Sequence, residues 1–467
     1  MSYYLGNKTI VRQNMASRRS PVSQASAAKT RCREEVIDVL IQFRVKNFAS
    51  FKDEAILDLR AVSYKDMKSH LIEVGKNKVV KTLGIYGANA SGKSNLVSAL
   101  YFFESFVFNQ FYNEGTRDDD IDSNNRMLNI RNSLYRLSSE SDSVQEFEII
   151  FYQKNNTYQY GFSMECDKDS YKYSILEEWF LSNDKLVFDR KSDHITAGTQ
   201  YSSELKNITK VRTDRLYISI LDYFSEGNIK KHVDSIKEYL RVNFNVHFEL
   251  YIESTVKGFA GYFYEWKKMY DNPEYRKKVE AFIKAADINI KELIISKSAS
   301  EDGRAMYSVK TIHNVYDSVG NIVREEAFDI EDESSGTIRY MVFIQNFLNV
   351  INNGGVFIVD ELTARLHPIL AKFIVDLFQD ENNKKAQLIF TTHDVSLLNR
   401  NQFRRDEVAF IDKSPYGESS IYTLADIKAR PDASFSKEYL NGKYGAVPLV
   451  NESDEFRRRM REFIWGD

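Results

Sequence analysis

Cysteine is scarce in this sequence, and long apolar runs are missing. The 467 residues include two cysteines, Cys32 and Cys166, which cannot build a disulfide framework or a four-ligand zinc site. No stretch approaches the roughly 20 consecutive apolar residues that a membrane helix requires. These absences predict a protein of the reducing cytoplasm that does not itself span a membrane.

A general excess of positive charge is also missing. The chain carries 64 Lys and Arg against 67 Asp and Glu, which is not the balance of a uniformly basic nucleic-acid binder. Direct DNA binding is left open. Residues 1–35 are rich in Ser, Arg and Ala and show no apolar period. We expect a basic, disordered tail there, with a transit peptide or an early start codon as alternatives.

Hydrophobic residues make up 43% of the chain, enough to build a core, and they recur with regular periods. The alternation from Ile41 to Val45 predicts a half-buried strand. Val79–Tyr86 predicts a strand that runs into a glycine loop, and the helical spacing from Leu96 to Val107 predicts a helix directly after it.

The remaining pattern changes along the chain. Alternation over about 147–190 predicts a β meander, and the period is helical over about 205–288. Strands return over about 290–330. The apolar run Val356–Val359, a helix and the run Leu388–Thr392 then predict a β-α-β unit of a parallel sheet.

These periods predict five segments of the chain. We expect a basic tail, an N-terminal lobe with the glycine loop and the meander, a helical insertion, a C-terminal lobe and a C-terminal tail. Their predicted bounds are 1–35, 36–200, 201–289, 290–430 and 431–467.

The glycine loop carries the most specific motif. Residues 87–94 read GANASGKS, which matches G-x-x-x-x-G-K-[ST] between a predicted strand and a predicted helix. Such a loop turns its backbone N–H groups toward a phosphate, and the helix adds its positive end. Lys93 can reach the β and γ phosphates, and the Ser94 hydroxyl can ligate Mg²⁺. The predicted nucleotide site comprises Gly87, Asn89, Ala90, Ser91, Gly92, Lys93, Ser94 and Asn95.

Three further side chains follow the predicted parallel strands. Asp360 and Glu361 come directly after Val356–Val359, and His393 follows the next strand. The carboxyl ends of such strands face the crevice where ligands bind in α/β sheets. Asp360 is the second candidate Mg²⁺ ligand, Glu361 the candidate general base that positions water, and His393 the candidate contact to the γ-phosphate. Alone, the two acids would be typical of an exposed strand end.

A second anion site is predicted at the turn Glu333-Ser334-Ser335-Gly336-Thr337. The turn opens a helix, so N–H groups and hydroxyls of Ser334, Ser335 and Gly336 can face an anion. By itself this pattern is typical of ordinary helix capping.

The order of these four motifs resembles that of ABC-type ATPase heads. The amino-acid sequence in and around these motifs resembles the OLD-like ATPases, AAA family 15, found in bacterial defence and abortive-infection systems. The stretches that carry the likeness include FRVKNFASFKDEAILDL, IYGANASGKSNL, ESSGTIRYM, FIVDELTARLHPIL and AQLIFTTHDVSLL. The resemblance implies an α/β fold, an ABC-type P-loop ATPase head with a mixed β-sheet, flanking helices and a helical insertion. It also implies that ATP and Mg²⁺ are bound and hydrolysed between two heads of a homodimer or higher oligomer, with Ser334 and Gly336 in the signature.

The same resemblance implies a sensor or scaffold of an anti-phage system. The short stretch after His393 leads us to expect a separately encoded effector, such as a Toprim-type nuclease, and a phage-derived trigger is possible. The alternatives are a recombination-mediator ATPase of RecF type, a scaffold that binds ATP but barely hydrolyses it, and a transporter motor. The sequence lacks a C-x-x-C hook and long heptads, so it does not resemble repair ATPases with coiled-coil arms.

Some positions depart from the family pattern. Thr363 stands where an Asp is usual, Arg365 where a Ser is common, and Ala49 where an Arg is frequent. The glutamine loop has two weak candidates, Gln110 and Gln145.

Overall fold

The computed structural model describes residues 37–112, 133–139, 142–167, 172–247, 263–286, 289–299, 305–364, 366–447 and 454–466. The predicted tail 1–35 lies outside these ranges. Within them the chain forms a mixed α/β fold, as the sequence predicted.

The first layer is a seven-stranded antiparallel sheet in the order β10-β9-β8-β7-β6-β1-β2. It contains the predicted meander and pairs it with the N-terminal strands. Its strands are β1 (Val39–Lys46), β2 (Ala55–Asp58), β6 (Val144–Gln153), β7 (Asn156–Cys166), β8 (Tyr173–Ser182), β9 (Lys185–Lys191) and β10 (His194–Ala197).

Aromatic packing joins this sheet to the first helix, α1 (Lys93–Tyr112). Phe147 and Phe162 are directly paired across β6 and β7. The Phe102 ring stacks on Phe147 at 5.2 Å and the Phe106 ring on Phe162 at 5.3 Å, measured between centroids. Each buried aromatic ring removes a large apolar area from water, so the helix that follows the glycine loop is held against the sheet.

The second layer is a six-stranded sheet in the order β11-β15-β16-β5-β17-β18. All its neighbouring pairs are parallel except β17 with β18. Their carboxyl ends therefore meet at one edge. The strands are β5 (Thr82–Tyr86), β11 (Phe244–His247), β15 (Gly355–Val359), β16 (Ala386–Thr391), β17 (Val408–Lys413) and β18 (Ser419–Thr423).

The burial of strand β15 on both faces explains why its sequence is apolar throughout. Val356 and Ile358 belong to the core beneath the antiparallel sheet, whereas Phe357 and Val359 belong to the core on the other face. Both faces are buried, so every position is apolar. The second core is covered by α7 (Ser335–Asn353) and α8 (Pro368–Gln379).

The stretch 201–289 is helical over most of its described residues, but it serves both cores. Helices α2 (Ser202–Leu205), α3 (Tyr217–Phe224) and α4 (Gly227–Glu238) come first, followed by a π-helical turn over 239–243. Buried residues of α2–α4 join the first core, whereas those of α5 (Phe263–Asp271) and α6 (Pro273–Ala285) join the second. Strand β11, which lies within this stretch, was not predicted. The proposed domain bounds stay a prediction.

The smaller elements complete the fold. A three-stranded sheet consists of β12 (Glu292–Ala299), β13 (Ala305–Tyr316) and β14 (Ile322–Asp329), and a two-stranded one of β3 (Leu71–Val74) and β4 (Asn77–Val80). Helices α9 (Phe435–Leu440) and α10 (Asp454–Trp465) follow near the C-terminus. Among the described helices, none is both long enough and apolar enough to cross a membrane.

Candidate nucleotide-binding site

The glycine loop occupies the edge of the parallel sheet where strands end. Strand β5 ends at Tyr86 and α1 begins at Lys93, as the motif predicts. Two glycines are required by their surroundings. A Cβ on Gly87 would lie 2.5 Å from the Ile411 carbonyl oxygen. Gly92 has φ +117°, and a Cβ there would lie 2.4 Å from Ser419 Oγ. Only glycine therefore leaves this loop its curled path.

Lys93 lies inside this curl and is 4% exposed. Its ammonium group donates to the carbonyl oxygens of Gly87 at 3.0 Å and Ala88 at 3.1 Å. Burial lowers the pKa of Lys93, while the charges of Glu361 and Asp360 act to raise it. The two carboxylates thus help to keep a desolvated ammonium charged.

The two acids are placed by β15 and its parallel neighbour β16. Thr391 Oγ1 donates to Asp360 Oδ1 at 2.7 Å and accepts from the backbone N–H of Glu361 at 2.8 Å. One hydroxyl at the end of β16 therefore orients both positions. Glu361 has φ +55°, an uncommon left-handed conformation for a non-glycine residue. Such strain is often retained at functional sites.

His393 joins these groups. Its Nε2 atom lies 3.0 Å from Lys93 Nζ and 3.3 Å from Glu361 Oε1. Burial lowers the pKa of His393, the Lys93 charge lowers it further, and Glu361 and Asp360 oppose the shift. The imidazole is therefore neutral near pH 7, and its Nε2 lone pair accepts from the ammonium. The side chain remains 40% exposed, so a ligand can reach it.

The residues around the loop fit a bound phosphate chain. The Ser91 hydroxyl is buried and has no hydrogen-bond partner within the described part of the chain. The next residue, Gly92, has no room for a Cβ, so the backbone around Ser91 keeps its curled path. Ser94, by contrast, is exposed at the first turn of α1. Among the described residues, no group of three or more His, Cys, Asp or Glu is placed to hold a metal. A Mg²⁺ ion here would need ligands such as Ser94 and Asp360 together with phosphate oxygens.

The Ser334 hydroxyl of the predicted signature bonds within its own turn. Ser334 is the N-cap of α7, and its hydroxyl accepts from Thr337 N at 3.1 Å. Ser334 and Gly336 are both exposed. The backbone of Ser335 begins the helix. This turn is therefore accessible to another molecule.

Side chains that support the loop from behind include Asn95, which was predicted at the site, and Ser50, Lys413 and Ser419, which were not. Ser419 Oγ lies 2.5 Å from Ser91 O and 2.7 Å from Ser50 Oγ. Asn95 Nδ2 donates to Ser50 Oγ at 2.7 Å, and Lys413 Nζ to the Ala90 carbonyl oxygen at 3.1 Å. Serines in turns carry no distinctive pattern, so only the fold could bring these segments together.

The two glutamine candidates are engaged elsewhere. Gln110 donates to Tyr173 OH at 2.8 Å and accepts from Leu216 N at 3.3 Å. Gln145 donates to Asn47 O at 2.9 Å and accepts from Ser133 Oγ at 3.1 Å. Gln110 on α1 and Gln145 within β6 are both buried, which favours a structural role for each.

The departures from the family pattern have local contacts of their own. Thr363 Oγ1 lies 2.6 Å from Thr392 Oγ1, so it ties the loop after Glu361 to the strand end before His393. Ala49 has φ +50°, and its N–H donates to Ser133 O at 2.6 Å. Arg365 lies outside the described residues.

Comparison with known proteins identifies the family. Residues 83–399 match the family described as AAA domain, putative AbiEii toxin, type IV toxin–antitoxin system. The match covers more than half of the chain and includes the glycine loop, the two acids and His393. The protein therefore belongs to this family of AAA domains. Its fold is mixed α/β, with these motifs at one edge of a mainly parallel sheet. The finer OLD-like assignment stays a prediction.

No curated protein matches the chain. Solved structures with a similar fold include three heads of Smc proteins. The Smc head with an extended coiled coil from Pyrococcus furiosus is 14% identical, with 87% of this chain and 99% of that chain covered and a TM-score of 0.41. The head with a coiled coil and joint from Pyrococcus yayanosii is 12% identical, with 87% and 100% covered and a TM-score of 0.42. The head from Thermotoga maritima is 14% identical, with 82% and 98% covered and a TM-score of 0.33.

Proposed function

We propose that this protein is an ABC-type ATPase that binds Mg-ATP between two copies of its head and hydrolyses it. The observation that best supports this function is that three side chains converge beside the glycine loop. His393 Nε2 lies 3.0 Å from Lys93 Nζ and 3.3 Å from Glu361 Oε1. A cation, a neutral imidazole and a carboxylate at one point are suited to a terminal phosphate and its attacking water.

Binding of the nucleotide begins with the loop. Its N–H groups and the first turn of α1 would face the phosphates. Lys93 would exchange the carbonyl oxygens of Gly87 and Ala88 for phosphate oxygens, and the unsatisfied Ser91 hydroxyl would gain a partner. Mg²⁺, when held by Ser94 and Asp360, would supply neutralisation of the phosphate charge.

Hydrolysis would then depend on Glu361 and His393. Glu361 would orient the water and accept its proton, a general-base role. The neutral His393 ring would donate a hydrogen bond through one nitrogen to the terminal phosphate or the water. Because Lys93 is desolvated, its charge acts strongly on the phosphate that replaces its present partners.

The signature would come from the second copy. Ser334 and Gly336 are exposed on the monomer, and the resemblance to ABC-type heads supports a site completed by a partner's signature. We further propose that the assembly is the sensor of a bacterial anti-phage system in the cytoplasm, with a phage-derived trigger and a separate nuclease effector of Toprim type. The toxin in the family description supports an output that harms the host cell.

The first test compares the wild type with Glu361→Gln. The variant keeps the shape of the side chain and loses the base, so we expect phosphate release to fall by about 100-fold or more. Light scattering in the same samples should show a larger mass with Mg-ATP, persistent in the variant and transient in the wild type. Glu274→Gln, an exposed acid on α6, is the matched control and should behave as the wild type.

Two results would contradict the proposal. One is unchanged hydrolysis by Glu361→Gln, and the other is a mass that never responds to Mg-ATP in any variant. For the defence role, wild type and Lys93→Ala would be expressed with their neighbouring genes and challenged with phage. Equal plaque numbers would count against it, and hydrolysis stimulated by DNA would favour a repair role instead.

A further inference from the structure

The residue before the signature serine is held by a strand far from it in sequence. Glu333 Oε1 lies 2.6 Å from His313 Nε2, and Thr311 Oγ1 also donates to this oxygen. Thr311 and His313 point from the same face of β13, two residues apart. One carboxylate oxygen therefore receives two hydrogen bonds from the three-stranded sheet.

This contact is shielded and its geometry is constrained. Thr311 is fully buried, and the Glu333 side chain is 9% exposed. The His313 ring packs against Phe328 of β14 at 4.7 Å between centroids, and its Nε2 lies 3.2 Å from Thr311 Oγ1. Hydrogen bonds to a carboxylate that is almost out of water are stronger than exposed ones.

The anchored residue leads directly into the exposed turn. Glu333 donates its own N–H to Ile330 O at 3.3 Å, and Ser334 follows as the N-cap of α7. Because the Glu333 side chain is tied inward, the Ser334 hydroxyl and Gly336 stay on the outside. The place where the signature begins is therefore set by β13.

We propose that His313 and Thr311 are positioning residues for the signature, acting through Glu333 on the ATP site of the other copy. The inference rests on the proposed head-to-head ATPase. It assigns the three-stranded sheet a role in hydrolysis: any displacement of β13 moves Ser334 and Gly336 relative to the partner's nucleotide. ATP binding by the copy's own glycine loop does not involve these contacts.

The kinetic test uses His313→Ala, His313→Gln and a matched control, His194→Ala, an exposed histidine on β10. Loss of the donor should lower kcat about five- to tenfold. The KM for ATP should change less than about twofold, because the glycine loop is untouched. The Gln variant retains an N–H donor and should recover most of kcat. A rise in KM without a fall in kcat would overturn the proposal, as would a His313→Gln variant no better than His313→Ala.

Mixed assemblies then locate the effect. Lys93→Ala has a disabled glycine loop but an intact signature, so it can complete the site of a His313→Ala copy. Adding Lys93→Ala to His313→Ala should raise hydrolysis per active loop toward the wild-type value. No rise would mean that His313 acts on its own site or on folding alone, and would overturn the proposal. Glu333→Ala, which removes the acceptor of both hydrogen bonds, should give the same result in the mixture if His313→Ala does not fold.

Ser334→Ala separates failure of this inference from failure of the proposed function. If Ser334→Ala hydrolyses ATP as the wild type does, the signature mechanism itself is wrong. If Ser334→Ala is impaired while His313→Ala is not, the head-to-head ATPase stands and only the positioning role is wrong.

Discussion

At the scale of single residues, the glycine loop depends on a position where no side chain fits. Gly92 combines φ +117° with a would-be Cβ only 2.4 Å from Ser419 Oγ and 2.7 Å from Ser50 Oγ. The conformation alone disfavours any other residue, and the contact adds a collision with two side chains that support the loop.

Gly92→Ala should therefore weaken both the fold and nucleotide binding. We expect the free energy of unfolding to fall by about 1–3 kcal/mol, and ATP binding measured by calorimetry to be lost. Gly320→Ala is the matched control, because Gly320 has φ +92° but nothing within 4 Å of an added Cβ. It should show a strain cost and keep ATP binding. Equal ATP affinity in both variants would contradict the proposed steric role of Gly92.

His393 gives the site a pH dependence whose sign follows from its surroundings. Burial and Lys93 lower the pKa of His393 from the ordinary 6.5, so the neutral form is favoured at pH 7. As pH falls through the lowered pKa, the ring gains a charge 3.0 Å from the Lys93 ammonium. We expect hydrolysis to be flat above pH 7 and to fall on the acid side of 6.5 in a pH–rate profile. His393→Gln should be slow and should lack this acid limb; an unchanged limb would assign it to another group.

At the scale of elements, the β17–β18 hairpin supports the glycine loop from behind. Its Ser419 residue is 8% exposed, and the Ser419 hydroxyl lies 2.5 Å from the Ser91 carbonyl oxygen. The backbone N–H of Ser419 also donates to the Ser50 carbonyl oxygen at 2.8 Å. Two strands that carry no motif thus set the path of the loop that does.

Ser419→Ala should loosen the loop without unfolding the protein. The loss of the buried hydrogen bonds to Ser91 O and Ser50 Oγ predicts an ATP dissociation constant about three- to tenfold higher. Ser420→Ala, the exposed neighbour on the same strand, is the control and should bind as the wild type. Fluorescent ATP-analogue titration measures both, and equal affinities would show that the hairpin does not act on the loop.

The elements differ in how far they could be predicted. Strand β15 was predictable, because a continuous apolar run is a local signal. Helix α6 also starts with a local signal, since Asn272 accepts from Tyr275 N at 3.0 Å and Pro273 follows it. Strand β11 was not, because its four residues follow a helical run and become a strand only by pairing with β15. Its partner lies more than a hundred residues later, beyond any local pattern.

At the scale of the whole molecule, the parallel sheet lies between two cores, and a charged residue is buried where β5 begins. Lys81 is 1% exposed, and its ammonium donates to Asp380 O at 2.7 Å. Burial lowers the pKa of Lys81 to about 8 from 10.5. Below pH 8 the folded protein carries this charge at a cost, and the cost disappears as pH rises toward 10.5, because the unfolded chain then holds the extra proton.

Lys81→Met should therefore change the pH dependence of global stability. The gain in unfolding free energy of Lys81→Met over the wild type should be larger at pH 7 than at pH 10 by roughly 2 kcal/mol. Urea unfolding at the two pH values measures it. Lys185→Met, an exposed lysine on β9, should show no such difference. A gain that does not shrink with rising pH would mean that Lys81 is not the titrating group.

Local chemistry could be predicted from the amino-acid sequence: the GANASGKS loop, the acids after an apolar strand, the histidine after the next strand, and the serine turn that caps a helix. Such signals are short in range, because a strand period, a cap or a loop conformation depends on neighbouring residues. Only the folded chain shows that Thr391 orients Asp360 and Glu361, that Ser50 and Ser419 support the loop, and that β13 holds the residue before the serine turn through Glu333. Those contacts join residues far apart in the chain, and their geometry follows from the packing of two sheets around shared cores rather than from any periodic pattern.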